Sequence, residues 1–347
     1  MSTEKEDGVC ENKLCNDLDA QCSISNRLTQ SIGLSVSNNN TDNNVSICAN
    51  CGKEDVNNTC NKCKMVRYCN AACKKKHRHK HKKDCEEHLR LAAEHAAKEH
   101  DIELFKQPPP LYGDCPICFL RMPTFEAGSK YQSCCGKVIC SGCLHAPVYD
   151  NQGNKVDIFK QNECPFCRVV APIIYDEMIE RLNKRMEAED PIAIYNQGNY
   201  YRDGRNGLPQ DHTKALELWH RAAELGHAEA YSNIGYAHEH GEGVEVDKKK
   251  AIHYYERAAM RGDEIARENL GNEEIKAGNF DRALKHYMIA TKGGADSLKK
   301  IQHLYSNGHA TRDDYTKALR LYQEYLSEIK SVQRDKAAAT YENCRYY

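Results

Sequence analysis

Residues 48–85 read CANCGKEDVNNTCNKCKMVRYCNAACKKKHRHKHKKDC, and this stretch decides how the chain can fold. It contains four couples of potential metal ligands. The couples are Cys48 with Cys51, Cys60 with Cys63, Cys69 with Cys73, and His81 with Cys85. Structural zinc takes four sulfur or imidazole ligands from short couples of this kind, so eight ligands predict two ions. So short a segment buries little apolar surface, and zinc binding, worth roughly 10–16 kcal/mol, would replace an apolar core.

The order of these couples, with Tyr68 before the third and His81 opening the fourth, closely resembles a MYND zinc finger. The resemblance implies that the couples interleave. One ion would be held by Cys48, Cys51, Cys69 and Cys73, and the other by Cys60, Cys63, His81 and Cys85. His77 and His79 are predicted to be solvated, because the spacing from His81 to Cys85 is the one that places two ligands on one helical face. The alternative is a set of unrelated thiols or disulfides.

Composition restricts the kind of protein. The 347 residues predict two or three domains, and a formal net charge of −1 favours neither nucleic acid nor membrane as a partner. Fifteen of the 19 cysteines stand in close couples and no signal peptide precedes them, which indicates thiolates in a reducing compartment. Since no apolar run approaches the ~18 residues of a spanning helix, we expect a cytoplasmic or nuclear protein.

The segments flanking this finger differ in character. Residues 1–47 are rich in Asn, Ser, Asp and Thr and predict a disordered tail. Residues 74–83 carry seven positive charges, which predict either the solvated face of a helix or a nuclear import or nucleic-acid contact. Residues 86–110 read as a helix continuing from the finger and then a linker, because Pro108 to Pro110 cannot donate helical hydrogen bonds.

A second cysteine-rich module occupies residues 111–170. Its couples are Cys115 with Cys118, Cys134 with Cys135, Cys140 with Cys143, and Cys164 with Cys167. Eight thiols again predict two ions, for a total of four in the chain. The order is similar to that of a RING finger. The resemblance implies that Cys115, Cys118, Cys140 and Cys143 form one site and that Cys134, Cys135, Cys164 and Cys167 form the other.

Two features depart from the usual RING pattern. Cys134 and Cys135 are adjacent, whereas the family separates these ligands, and Lys137 stands where a histidine is common. Adjacent cysteines share an ion with more strain. One of them could therefore be left free or be replaced by His145.

The residues beside the ligands bear on function. In RING ubiquitin ligases, an apolar residue in the first couple and a proline in the last contact the ubiquitin-conjugating enzyme, and a following cation contacts ubiquitin. Ile117, Pro165 and Arg168 match these positions. The alternative is that Ile117 and Pro165 only shape zinc knuckles and that Arg168 is a surface cation.

After a connecting helix in residues 171–189, Asp190 followed by Pro191 predicts the start of a new helix, with a capping carboxylate and then proline at the first helical position. From there a period near 36 residues governs positions 190–329 and predicts stacked helical pairs. The repeated phrase is Ala215, Trp219, Ala222, Gly226; then Ala251, Tyr255, Ala258, Gly262; then Ala283, Tyr287, Ala290, Gly294. Preceding helices carry Gly198 and Gly235. The pattern resembles the Sel-one-like repeat, which implies a helical solenoid that binds proteins or peptides. A degenerate fourth copy, Ala318 with Tyr322, is expected to cap it.

The sequence thus predicts two small zinc-stabilised, cross-braced fingers, an all-α solenoid and a C-terminal tail in residues 330–347 that is helical at first and then frays. No nucleophile motif or phosphate-binding loop is present in the sequence. Two functions remain: a ubiquitin ligase that selects substrates through the MYND finger and the repeats, and a non-enzymatic adaptor, for instance in transcriptional regulation. Both require protein partners, and nucleic acid is the less favoured partner.

Overall fold

The computed structural model describes residues 46–54, 56–124, 128–146, 163–293, 295–341 and 344–345. Almost all of the predicted disordered tail lies outside these residues. The chain divides into two compact units with the boundary between Ile102 and Glu103.

The first unit is a small finger built on a two-stranded antiparallel sheet. Strand β1, Asn58–Thr59, pairs with β2, Arg67–Tyr68, and is followed by helix α1, Ala71–Leu104. Its buried core consists mainly of cysteines, with Val56 and Tyr68 filling the space between them. The helix runs unbroken from the finger through the residues for which the sequence predicted a continuation.

The second unit begins with another finger. Strand β3, Ser129–Gln132, pairs antiparallel with β4, Lys137–Cys140, and the short helix α2, Ser141–His145, follows directly. Here too most of the buried residues are cysteines, and Met122 and Ile139 complete the cluster.

The remainder of the second unit is helical. The helices are α3 Tyr175–Glu187, α4 Pro191–Asp203, α5 His212–Glu224, α6 Ala228–His240, α7 Lys248–Ala259, α8 Glu264–Lys276, α9 Phe280–Ala290, α10 Ala295–Ser306, α11 Arg312–Ile329 and α12 Val332–Thr340. As the sequence indicated, Asp190 caps α4 and Pro191 is its first residue. Among the described residues, no helix is both long and apolar enough to cross a membrane.

Helices pair through contacts between a glycine and an aromatic ring. A Cβ placed on Gly198 would lie 2.7 Å from Trp219, and one on Gly235 would lie 2.8 Å from Tyr255. The third pair uses Gly271, where the distance to Tyr287 would be 2.5 Å. The alanines of the repeated phrase are buried beside these rings. The sequence singled out the first two glycines but not Gly271, although it lies 36 residues after Gly235. Gly294 of the third phrase lies outside the described residues.

Gly235→Ala tests this packing. Alanine is the better helix former by about 1 kcal/mol, but its methyl group would overlap Tyr255. We therefore expect the variant to lose about 1–3 kcal/mol of unfolding free energy, measured by urea denaturation. Gly113→Ala is the control, because a Cβ there meets nothing within 4 Å. Equal stability of the two variants would contradict the proposed role of the glycine.

The predicted linker packs against the repeats. Leu104 is buried in the repeat core, and its carbonyl accepts a hydrogen bond of 2.5 Å from the buried Arg267 Nη1. The Phe105 ring centroid lies 4.7 Å from that of His286, with the two rings tilted by 49°, and the Tyr112 hydroxyl donates to Glu229. Residues 104–112 therefore form part of the second unit.

A buried carboxyl group lies close to this linker. Asp263 caps α8, accepting a hydrogen bond of 2.6 Å from the Ala266 backbone N–H. Burial, reinforced by the negative charge of Glu229, raises the pKa of Asp263 to about 7. A carboxyl whose pKa is raised in the folded state stabilises the fold while protonated. That stabilisation is lost as the pH rises from about 4 to about 7.

Asp263→Asn should remove this pH dependence, because asparagine can still cap the helix but cannot ionise. The pKa of Asp263 is raised from 3.8 to about 7, and each pKa unit corresponds to about 1.4 kcal/mol. The unfolding free energy of the variant, relative to that of the wild type, should therefore increase by up to roughly 4 kcal/mol between acid and neutral pH. Urea titrations at a series of pH values measure the difference. In the control, Asp247→Asn, the difference should stay constant above about pH 5, because backbone hydrogen bonding from Lys250 lowers the pKa of Asp247 and confines its titration to more acid pH.

Candidate metal centres

Four groups of cysteine and histidine side chains come together in the structure. They are Cys48, Cys51, Cys69 and Cys73; Cys60, Cys63, His81 and Cys85; Cys115, Cys118, Cys140 and Cys143; and Cys134, Cys135, Cys164 and Cys167. Within each group the potential ligand atoms all lie within 4.8 Å of one another. These are the same four groups that the two finger resemblances imply.

The spacing of the atoms fits metal ligation. Zinc–sulfur bonds of about 2.3 Å in a tetrahedron place neighbouring sulfurs about 3.8 Å apart. The Sγ atoms of Cys60 and Cys85 are 3.9 Å apart, and those of Cys118 and Cys140 are 3.8 Å apart. A disulfide would require about 2.05 Å, and the cysteines in these groups are free thiols. Thiolates brought this close repel one another unless a cation lies between them.

Four of the couples share one backbone geometry, which holds both of their sulfurs on the same side. The amide that follows the second cysteine donates to the carbonyl of the first, at 2.8 to 3.1 Å. That following residue always adopts a positive φ. The residues are Gly52 at 74°, Lys64 at 59°, Phe119 at 56° and Arg168 at 63°. We call each of these four turns, from the first cysteine of the couple to the residue after the second, a knuckle. Only the first knuckle has glycine at the positive-φ position, so the other three keep an uncommon backbone conformation that the surrounding structure must stabilise.

In the first unit, α1 contributes ligands to both groups: Cys73 to one, and His81 and Cys85 to the other. Cys73 lies in the first turn of the helix, with its amide donating to the Asn70 side chain at 2.8 Å, and His81 and Cys85 lie about two and three turns further. His79 is exposed, as expected. His77 is half-buried: its Nδ1 lies 3.2 Å from the Tyr68 hydroxyl, and its ring stacks on His81. Neither histidine joins a ligand group.

In the second unit, both adjacent cysteines point into one group. Cys134 Sγ lies 3.3 Å from Cys167 Sγ, and Cys135 Sγ lies 3.9 Å from Cys164 Sγ. The alternative ligand His145 is elsewhere, with its Nε2 3.0 Å from Cys344 Sγ. The hairpin turn between β3 and β4 therefore allows consecutive cysteines to share a site.

The three residues singled out beside the ligands lie on the knuckles. Ile117 and Pro165 are half-buried and Arg168 is exposed. Apolar side chains also reach the surface here: Phe119 is 76% exposed and Phe166 is 45% exposed. The sequence did not single out these two phenylalanines. Their positions were the sequence signal that could have identified them, because Phe119 directly follows Cys118 and Phe166 lies between Cys164 and Cys167.

Comparison with known proteins identifies two parts of the chain. Residues 48–85 match the MYND finger family. Residues 191–227, 228–263 and 303–324 match the Sel1 repeat family. Neither match includes residues 111–170. No curated protein matches the chain.

Several solved structures are similar to part of the chain. A Sel1 repeat protein from Oxalobacter formigenes is 28% identical over 44% of this chain and 64% of its own, with a TM-score of 0.39. The protective antigen c5321 of uropathogenic Escherichia coli, which displays an SLR fold, is 28% identical over 47% and 36%, with a TM-score of 0.37. The immunity protein Pa5087 of Pseudomonas aeruginosa is 24% identical over 49% and 62%, with a TM-score of 0.34. The chain thus spans less than two thirds of each of these proteins.

The MYND finger and the Sel1 repeats predicted from the sequence are therefore confirmed. Both are protein-interaction modules, which supports protein partners. Together with the four ligand groups, the MYND match indicates zinc binding. The architecture is a zinc-finger region followed by an all-helical repeat solenoid.

Cys85→Ser tests the zinc assignment in the first unit. Since structural zinc requires four ligands, the variant should hold one zinc ion fewer than the wild type in native mass spectrometry. Helix α1 should lose order around the vacated site. Cys344→Ser removes a buried cysteine outside all four groups and should leave the zinc content unchanged. Equal zinc content in the two variants would contradict the assignment.

Proposed function

We propose that this protein is a RING-type ubiquitin ligase that holds four structural zinc ions, two in each finger. The second finger would recruit a ubiquitin-conjugating enzyme. The MYND finger and the Sel1 repeats would bind the substrate. The proposed compartment is the cytoplasm or the nucleus.

The interleaving of the ligand couples in the second finger carries this proposal. Its first and third couples meet in one group, and its second and fourth couples meet in the other. Interleaving ties the two ends of the module together, so the first knuckle, with Ile117, and the last, with Pro165, belong to one cross-braced unit. That is the arrangement by which RING ligases are recognised.

The side chains on these knuckles suit the contact with a conjugating enzyme. Half-buried Ile117 and Pro165 offer shallow apolar surface, and exposed Phe119 and Phe166 extend it. Arg168 is exposed and follows the last ligand directly. Its positive φ turns the chain sharply at this point, and the backbone of the knuckle limits its position.

The chemistry would need no nucleophile on this chain. The conjugating enzyme carries ubiquitin as a thioester, and the ligase accelerates its transfer by holding the two proteins in a reactive orientation. The forked guanidinium of Arg168 is suited to bridging carbonyl and polar groups of both proteins. The zinc ions would shape the surface, since four protein ligands leave no open coordination position.

A non-enzymatic adaptor is the second candidate. It is favoured by the family matches, because both matched modules bind proteins. Contact with nucleic acid has less support. Most of the basic residues of 74–83 line an exposed face of α1, and Lys74 donates to the Thr59 carbonyl within the finger.

Arg168→Ala separates the two functions in an in-vitro ubiquitination assay with a panel of conjugating enzymes. If the protein is a ligase, the wild type forms ubiquitin chains. The variant should lose about 10–100-fold in rate with its zinc content unchanged, because hydrogen bonds from a charged group contribute about 1.5–3 kcal/mol.

Arg320→Ala, at an exposed arginine of α11, is the matched control and should retain wild-type activity. Ile117→Ala should lower activity with every enzyme that the wild type accepts. If the wild type and Ile117→Ala are equally inactive with the whole panel, the adaptor function replaces the ligase.

A further inference from the structure

The C-terminal segment packs against the second finger. In the predicted C-terminal tail, residues 332–340 form α12, which lies against α2. The approach is close: a Cβ on Gly142 would lie 2.7 Å from the backbone nitrogen of Arg334. Further along, the Tyr341 ring stacks 4.5 Å from His145. The finger and the end of the solenoid therefore share an interface within the second unit.

Arg334 lies at the centre of this interface and is completely buried. Its Nη1 donates to the carbonyl oxygens of Arg121 at 2.7 Å and Ile329 at 2.6 Å. Its Nη2 donates to the Leu120 carbonyl at 3.3 Å and lies 3.9 Å from Cys118 Sγ. The guanidinium thus joins the end of α11 to the first knuckle of the finger.

This buried cation lacks a carboxylate partner. Within the part of the chain that the structure describes, Arg334 forms no salt bridge, and its Nε has no hydrogen-bond partner. A buried charge is strongly unfavourable unless it is paired. Neutral carbonyls accept hydrogen bonds from its Nη1 and Nη2 but cannot cancel its charge. A counter-charge must therefore come from another group nearby.

The neighbouring ligand group can supply that charge. Zn²⁺ bound by four thiolates carries a net charge of −2, and Cys118 and Cys140 belong to one such group. We propose that Arg334 is the counter-cation of the zinc site formed by Cys115, Cys118, Cys140 and Cys143, and that α12 is an integral part of that site.

A second arginine lies near the other ligand group of this finger, and it differs from Arg334 in burial and in its contacts. Arg185 of α3 donates to the Ser133 and Cys134 carbonyls, at 3.2 and 2.9 Å. It is only half-buried, so water screens its charge. It orders the turn that carries the adjacent cysteines. Arg334 is the one of the two that is both desolvated and in contact with a ligand sulfur.

The inference rests on zinc in the second finger, which is part of the proposed function, but not on ligase activity. Groups around a metal site that orient or neutralise its ligands typically change metal affinity by roughly 10–100-fold when they are removed. Removing the charge of Arg334 should therefore weaken one zinc site selectively. The other three sites have no contact with this residue among the described residues.

The experiment follows zinc release from the full-length protein during challenge with EDTA, by native mass spectrometry and with a chromophoric zinc indicator. Arg334→Met, similar in length but uncharged, should release one ion roughly 10–100-fold faster than the wild type. Arg334→Lys keeps the charge and should restore much of the retention. Lys336→Met, at an exposed position of the same helix, should behave as the wild type.

A second variant identifies the ion. Cys115→Ser should lack one zinc, and adding Arg334→Met to it should leave the release of the remaining ions unchanged. The inference is overturned if folded Arg334→Met releases every ion at the wild-type rate. It is also overturned if the lysine and methionine variants lose zinc equally fast, because Arg334 would then act only by packing.

The zinc assignment itself fails if Cys115→Ser has the wild-type zinc content. A negative ubiquitination assay, by contrast, would leave the release experiment intact. The failure of the ligase proposal and the failure of this inference are therefore distinguishable.

Discussion

The repulsion between clustered thiolates is the constraint on which both fingers depend. Each finger brings eight ligand atoms into two groups, and in each group the atoms lie within 4.8 Å of one another. Such an arrangement is stable only around a cation, and the buried clusters of the fingers consist mainly of these same cysteines. Very short strands and left-handed knuckle residues such as Lys64 and Arg168 are tolerated because metal binding outweighs their cost.

The solenoid is stabilised by close packing of side chains and not by metal binding. Its helices are held by contact between small and large side chains, with Gly198, Gly235 and Gly271 each receiving an aromatic ring. Close approach of the helices yields dispersion contacts that a bulkier residue would prevent. Order in this part of the chain therefore depends on shape rather than on metal, and chelation should unfold the fingers before it affects the repeats.

Buried charges connect the two kinds of structure within the second unit. Arg267 holds the Leu104 carbonyl against the repeats, and Arg334 holds the first knuckle of the second finger against the end of α11. Both are almost completely buried. Because removing a buried charge's partner is costly, such contacts give a defined position to the elements that they join.

Sequence spacing alone determined the ligand couples, the period of the repeats and the cap at Asp190, since each depends on residues only a few positions apart in a local structure of known geometry. The pairing of the four couples of each finger into groups came from resemblance, and the structure has the same groups. The sequence did not indicate that α12 packs on α2, that Arg334 lies beside Cys118, that His145 contacts Cys344 rather than a ligand group, or that residues 104–112 cover the repeats. These contacts join residues that lie more than a hundred positions apart along the chain. They form only when many weak packing and desolvation contributions act together, and no short sequence pattern predicts the total free energy of these contributions. The tertiary structure therefore decided how the second finger and the solenoid fit together.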